Sequence, residues 1–147
     1  MRDRFTRGFI AGIIASIIPF GIHFIAFGLK LTTLRYADWL GLFIFGHFPV
    51  GSGELIFTII VQTCLLGGLG IGFAYLIPLF SSQNYWLKGL VYGATIWFFT
   101  YLITFLFKIP ELKIIPLKTA TTNLIGGCLW GVSLVIVLNW LDDRLKQ

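Results

Sequence analysis

Charged residues are scarce in this sequence, and their scarcity excludes an ordinary water-soluble protein. Only 12% of the 147 residues are charged, whereas 57% are hydrophobic. Soluble domains carry about 25% charged residues, and a domain of this size has too little interior to hide so much apolar surface. The excess apolar surface must face lipid, so the composition predicts an integral membrane protein.

The alternation of polar and apolar residues that marks the strands of a membrane barrel is also missing. Long apolar runs take its place, and each reaches the roughly 17–25 residues that cross a bilayer as a helix. Helices satisfy their own backbone hydrogen bonds, as the hydrocarbon region requires. The sequence therefore predicts an all-α integral membrane protein, with four transmembrane helices in a compact bundle, over residues 8–29, 55–80, 89–107 and 119–141.

A further apolar segment, residues 39–50, has only about half the length of a span. Gly46 and Pro49 interrupt it, while Tyr36 and Trp39 are typical of the headgroup region. We expect a short interfacial or re-entrant helix between the first and second spans. A fifth full span is the alternative.

Motifs for catalysis, metal binding and nucleic-acid binding are absent from the sequence. The two cysteines, Cys64 and Cys128, lie inside apolar runs without a CxxC spacing. No glycine-rich phosphate loop, Ser/His/Asp set or paired carboxylates occur. The eleven basic residues are scattered over the loops rather than clustered on one face. We therefore predict a non-enzymatic protein with no catalytic residue, metal site or cofactor, and no nucleic-acid partner.

The basic residues that flank the spans bear on orientation. Arg2, Arg4 and Arg7 precede the first span, and the first helix usually sets the topology through its cytoplasmic positive charges. We expect both termini to be cytoplasmic. The loop over residues 108–118 alternates apolar and basic residues between two prolines, which favours contact with membrane lipids.

Glycine is abundant, and each predicted span carries a pair of glycines four residues apart. Such pairs let two helix backbones approach closely, which is how helices associate in lipid. Ser16 shares the glycine face of the first span. These faces favour helix packing and a homo-oligomer, or association with other membrane subunits. The predicted packing residues are Gly8, Gly12, Ser16, Gly68, Gly72, Gly89, Gly93, Gly127 and Gly131.

Ionisable residues inside the spans are almost absent, which argues against an ion-coupled carrier. His23 is the exception, and it lies on the glycine face of the first span. His47 and Glu54 are expected near the same membrane face, so the two histidines are candidate ligands of a haem or, with Glu54, of a metal. The alternatives are a hydrogen-bonded neutral His23, and a Glu54 that stabilises the start of the second span beside a capping Ser52.

A second functional hypothesis is a channel or carrier for an uncharged or lipid-like solute. Polar side chains without charge would line its path. Asn123 is also a possible functional residue in its own right. The candidates for the lining are Gln62, Thr100, Thr104 and Asn123.

Several short motifs lie in and beside the last two spans, and they consist of Trp86, Gly89, Tyr92, Gly93, Trp97, Leu129, Trp130, Gly131 and Ser133, with Gly8, Gly12, His23 and Phe24 near the start. With these residues the sequence resembles the YqhR-type family of small bacterial membrane proteins. The resemblance implies a four-span fold in a bacterial plasma membrane of the Gram-positive type, and carries over no catalytic or binding residue.

The leading hypothesis from the sequence is a protein that acts through helix association. It is expected to be a homo-oligomeric membrane component or an accessory subunit of a membrane complex, because glycine faces are many and buried charges are few. The solute carrier and the haem- or metal-binding subunit are the alternatives.

Overall fold

The computed structural model describes residues 3–79 and 84–144, and every long element among them is helical. Four stretches are long and apolar enough to cross a membrane: Arg4–Gly28, Gly51–Leu79, Tyr85–Leu106 and Leu117–Arg144. The predicted fold class is therefore confirmed. The helices are α1 (Arg4–Ala15), α2 (Ile17–Gly28), α3 (Tyr36–Phe45), α4 (Gly51–Leu76), α5 (Tyr85–Leu106) and α6 (Leu117–Arg144), with 3₁₀ turns at Ile77–Leu79 and Pro110–Leu112.

The helices begin earlier than the apolar runs suggested, because polar residues cap their starts. The Asp3 carboxylate accepts hydrogen bonds from the backbone N–H groups of Phe5 and Thr6, so α1 starts at Arg4. The Asn84 side chain accepts from Leu87 N–H in the same way, so α5 starts at Tyr85. The predicted end of the second span, residue 80, lies outside the described residues.

The first span is divided into α1 and α2 at Ser16, which the sequence analysis did not anticipate. Pro19 has no N–H to donate to the carbonyl of Ala15, and its ring crowds that carbonyl. The Ser16 hydroxyl donates to the carbonyl of Ile13 at 2.6 Å, and the Ser16 N–H also turns to Ile13. The helix therefore breaks one turn before the proline.

The short helix α3 replaces the predicted segment 39–50 and lies between the first and second spans. It starts at Tyr36 because Asp38 accepts a hydrogen bond from the backbone N–H of Arg35 at 2.7 Å and pairs with the Arg35 guanidinium. It ends at Gly46, whose φ of 75° suits glycine. Buried Trp39 anchors α3, in a cluster with Leu42 and Leu112.

Glycines bring the long helices together in two places, which we call the glycine seams. In the α1–α4 seam, a Cβ added to Gly12 would lie 2.3 Å from the carbonyl oxygen of Leu66. In the α5–α6 seam, a Cβ added to Gly131 would lie 2.0 Å from the carbonyl oxygen of Gly89. The backbones therefore touch directly. The seams contain Gly8, Gly12, Gly67 and Gly70, and Gly89, Gly93, Gly127 and Gly131.

The packing role predicted for Gly68 and Gly72 is wrong, because these two glycines do not lie on the face of α4 that meets α1. Gly68 is exposed, and a Cβ added to it would meet nothing within 4 Å. At Gly72 an added Cβ would approach only the hydroxyl of Tyr92. Each residue turns the helix by about 100°, so Gly67 and Gly70 face α1 instead. Ser16 is buried, but its hydroxyl bonds within its own helix.

No comparable seam joins α4 to α5. The helix α4 packs mainly on α1 and α3, whereas α5 packs mainly on α6. The Tyr92 hydroxyl donates to the carbonyl of Leu69 at 2.7 Å and bridges the two helices. We call the space around this bridge the α4–α5 gap. It contains a central cavity and a terminal groove. Tyr92 lines the terminal groove, which extends toward the end of the bundle where Arg7 pairs with Asp142.

Candidate functional site

The central cavity has a volume of about 180 Å³ and is surrounded by five helices. Most of its wall is aliphatic or aromatic, as in typical ligand pockets. Two wall residues, Phe43 and Leu65, are also 45% and 52% exposed on the outer surface. The cavity therefore lies close to the surface that faces lipid. Its wall includes Pro19, Phe20 and His23 of α2, Tyr36, Trp39 and Phe43 of α3, Gln62 and Leu65 of α4, Ile96, Trp97 and Thr100 of α5, and Gly126 and Trp130 of α6.

His23 lies in the wall of this cavity and is only 3% exposed. Its ring meets the Tyr36 ring edge to face, with centroids 4.9 Å apart. A Cβ added to Gly126 would lie 2.3 Å from His23 Nε2, so the glycine makes room for the imidazole. Neither ring nitrogen has a hydrogen-bond partner among the described residues. His23 therefore makes no side-chain hydrogen bond to the described residues, unlike the hydrogen-bonded histidine that the sequence offered as an alternative.

The other unpartnered polar atoms gather around the same cavity. Seven buried side-chain polar atoms lack a partner within residues 3–79 and 84–144, and five of them belong to cavity residues. An unsatisfied buried polar group costs about 1–3 kcal/mol, and native proteins contain few of them. Their concentration in side chains around one cavity therefore needs an explanation. The five atoms are both ring nitrogens of His23, Nε1 of Trp39, Oε1 of Gln62 and Nε1 of Trp97.

The unpartnered atoms offer both hydrogen-bond donors and acceptors. The indole nitrogens of Trp39 and Trp97 only donate, the Gln62 carbonyl oxygen only accepts, and a neutral imidazole does one of each. None of the wall residues is an Asp, Glu, Lys or Arg. The side chains around the cavity thus include unpartnered donors and acceptors, and none of the lining residues carries a fixed charge.

A polar network supports the cavity from the α6 side. The Tyr36 hydroxyl donates to the backbone carbonyl of Asn123 at 3.1 Å, and the Asn123 side-chain amide donates to the Tyr101 hydroxyl at 3.3 Å. Burial raises the pKa of the Tyr36 phenol above its ordinary value, and Tyr101 and Cys128 add to the rise. Tyr36 therefore remains a neutral donor. Tyr101 packs against both Trp39 and Trp97, with ring centroids 4.7 Å away in each case.

The candidate lining of a solute path is only partly assembled. Gln62 and Thr100 belong to the cavity wall, whereas Thr104 and Asn123 do not. The hydroxyls of Thr100 and Thr104 each donate to a carbonyl one turn earlier in α5, both at 2.9 Å. Threonines bonded in this way have no need of a ligand. Of these four candidates, Gln62 alone combines an unpartnered polar atom with a place in the cavity wall.

His47 and Glu54 lie together, away from the buried surroundings of His23. Glu54 accepts from the Val50 N–H at 2.7 Å, and His47 Nδ1 lies 3.9 Å from the same carboxylate oxygen. Glu54 thus caps α4 itself, because the helix starts at Gly51 and the expected cap, Ser52, falls inside the first turn. In the described ranges, no three residues of the His, Cys, Asp and Glu types are grouped to hold a metal.

Sequence reasoning missed Trp39 and Trp97 as cavity residues. The sequence predicts Trp39 at the headgroup level, which tryptophans favour, whereas in the structure Trp39 is buried in the cavity wall. Trp97, however, lies in the middle of α5, where an indole N–H needs a partner inside the protein. A tryptophan at mid-span was therefore the available signal.

Comparison with known proteins adds no relative for this chain: no family model, no curated protein and no solved structure matches it.

Proposed function

We propose that this protein is a membrane-embedded binding protein that takes an uncharged amphiphile from the bilayer into its central cavity. The observation that carries the proposal is the cluster of five unpartnered polar atoms in an otherwise apolar wall. Keeping such atoms buried without partners is costly, and a ligand that bonds them recovers that cost.

The chemistry of the wall defines the polar head of the ligand. The head must accept hydrogen bonds from the indole groups of Trp39 and Trp97, and donate one to Gln62. Hydroxyl and primary amide groups do both. Phosphate, carboxylate and ammonium heads are disfavoured, because no charged residue of the wall would offset their desolvation.

The route into the cavity is the outer surface between the helices. The exposed wall residues Phe43 and Leu65 connect the cavity to the surface that meets acyl chains. An amphiphile would leave its tail among lipids there while its head enters. This arrangement develops the solute hypothesis from the sequence rather than helix association, because the seam glycines are already engaged within one chain.

Binding of monooleoylglycerol to the purified protein in detergent tests the proposal. Its glycerol head donates and accepts, whereas methyl oleate has the same chain without a donor. We expect saturable quenching of tryptophan fluorescence by a brominated monooleoylglycerol, with affinity at least about tenfold above that for brominated methyl oleate, which corresponds to ~1.4 kcal/mol.

Two matched variants separate the cavity from the rest of the surface. Thr100→Phe fills the central cavity, whereas Thr95→Phe makes the same change one and a half turns earlier on α5, outside its wall. Both hydroxyls bond only within α5. Thr100→Phe should abolish saturable quenching and Thr95→Phe should preserve it. The volume of the cavity is large enough to hold water alone. A cavity filled only by water would give equal, non-saturable quenching by both lipids.

A further inference from the structure

The terminal groove is the larger of the two cavities in the α4–α5 gap, at about 530 Å³. Phe73 and Leu76 of α4 line one side, and Leu87, Val91 and Phe99 of α5 line the other. Leu76, Leu87, Val91 and Phe99 are also between 37% and 54% exposed. The groove is therefore an open apolar slot along the lipid-facing surface. Tyr92 lines the groove but not the central cavity, and Ile96 lines both.

A lysine stands in the wall of this slot. Lys88 Nζ lies 3.4 Å from the carbonyl oxygen of Ile77 and 5.0 Å from the centroid of the Tyr85 ring. Ile77 lines the groove as well, so these contacts hold the ammonium where α4 ends and α5 begins. Lys88 also belongs to the first turn of α5, whose positive dipole end adds to its charge.

We propose that the terminal groove is a binding site for an anionic phospholipid, with one acyl chain in the slot and the phosphate at Lys88. The long apolar slot accommodates an acyl chain, and the ammonium of Lys88 favours a headgroup with a negative charge. A zwitterionic lipid brings its own cation to the same place, which weakens the attraction. The proposal is independent of the ligand of the central cavity, because the two sites share neither the unpartnered polar atoms nor the lysine.

Native mass spectrometry of the full chain in detergent provides the test. The protein is titrated with phosphatidylglycerol and with phosphatidylcholine of identical chains. We expect tighter binding of phosphatidylglycerol, by about fivefold, as one lysine at the membrane surface provides. Lys88→Gln should reduce this preference to near unity, and Lys88→Arg should retain it. Lys30→Gln removes an exposed lysine just after the end of α2, outside the loop 108–118, and should leave the preference unchanged.

A second variant keeps the proposal testable if Lys88→Gln fails to fold. Thr95→Phe fills the slot and leaves Lys88 in place, so it should lower the occupancy by both lipids together. Equal binding of the two lipids by the wild-type chain would overturn the proposal. So would a preference that survives Lys88→Gln, or one that Lys30→Gln removes equally. Each of these results leaves the monooleoylglycerol experiment unaffected.

Discussion

The glycine seams and the α4–α5 gap are opposite solutions to helix packing in one small bundle. In the seams, backbones approach so closely that a single added carbon would overlap main-chain atoms, as at Gly12 and Gly131. Across the gap, the hydrogen bond from Tyr92 to Leu69 links helices that otherwise pack on different partners. The comparison teaches that close packing on two sides allows the third side to stay open, with two cavities along it.

The largest expected effect comes from adding a methyl group inside a seam. In Gly12→Ala the new Cβ would lie 2.3 Å from Leu66 O and 2.9 Å from Gly67 Cα, and neither backbone atom can move alone. Overpacking of this kind costs about 1–3 kcal/mol. We expect the midpoint of unfolding in mixed micelles to fall accordingly.

Gly68→Ala is the matched control for this prediction. The same methyl group on α4 meets open space, and alanine is about 1 kcal/mol better than glycine in a helix. Stability should stay equal or rise. If both variants lose the same stability, the seams are not special and the comparison fails.

The next effect has the opposite sign and concerns the gap. Gln62→Met has nearly the same shape but removes the unpartnered oxygen from the central cavity. We expect the ligand-free protein to become more stable by about 1 kcal/mol, since a buried unsatisfied group is lost. With saturating monooleoylglycerol, the gain should shrink or reverse. Thermal unfolding with and without the lipid measures both, and a variant that is destabilised in both conditions would contradict the account.

A smaller effect is expected at the bridge across the gap. Tyr92→Phe removes the hydrogen bond to Leu69 and keeps the ring contacts with Phe73 and Trp130. Hydrogen bonds between membrane helices contribute about 0.6 kcal/mol on average, so unfolding should shift by about that amount. The accessibility of cysteines placed along the α4–α5 gap should increase in this variant, whereas the accessibility of cysteines placed in the glycine seams should not change. A loss as large as that of Gly12→Ala would mean that the bridge, rather than the seams, holds the bundle.

The smallest effect lies outside the comparison, at the start of α1. The Thr6 hydroxyl and the N–H groups of Phe5 and Thr6 bond the Asp3 carboxylate and lower its pKa. A lowered pKa in the folded state stabilises the helix start above the ordinary aspartate pKa, and this stabilisation is lost as pH falls through the folded value. Amide exchange at Phe5 and Thr6 should therefore gain protection relative to the Asp3→Ala variant only at higher pH. If both proteins show equal amide protection at every pH, the Asp3 carboxylate does not stabilise the start of α1.

The sequence predicts the spans well because hydrophobic length alone defines them. It predicts poorly which side of α4 meets α1, since Gly67, Gly68, Gly70 and Gly72 occupy most directions around that helix. Only the partner surface, with Gly8 and Gly12, selects among them. A strongly amphipathic helix would have carried this information in its polar face, and a helix in lipid has no need of one.

The candidate site shows the same division between local and tertiary information. The position of His23 on the glycine face of the first span suggested contact with protein, and the structure buries it. The meeting of His23 with Gln62, Trp39 and Trp97 depends on four different helices, and no spacing along the chain encodes it. The break at Ser16, which sets the direction of α2, follows from Pro19, a signal that the continuous apolar run conceals.

Proton NMR of the indole N–H groups during titration with monooleoylglycerol tests the central claim most directly. Trp39 and Trp97 are unpartnered in the cavity wall, whereas Trp86 and Trp140 are 57% and 48% exposed. The account predicts that the Trp39 and Trp97 signals shift downfield and saturate together, while those of Trp86 and Trp140 drift without saturation. Four signals that all drift alike, or that do not move, would contradict it.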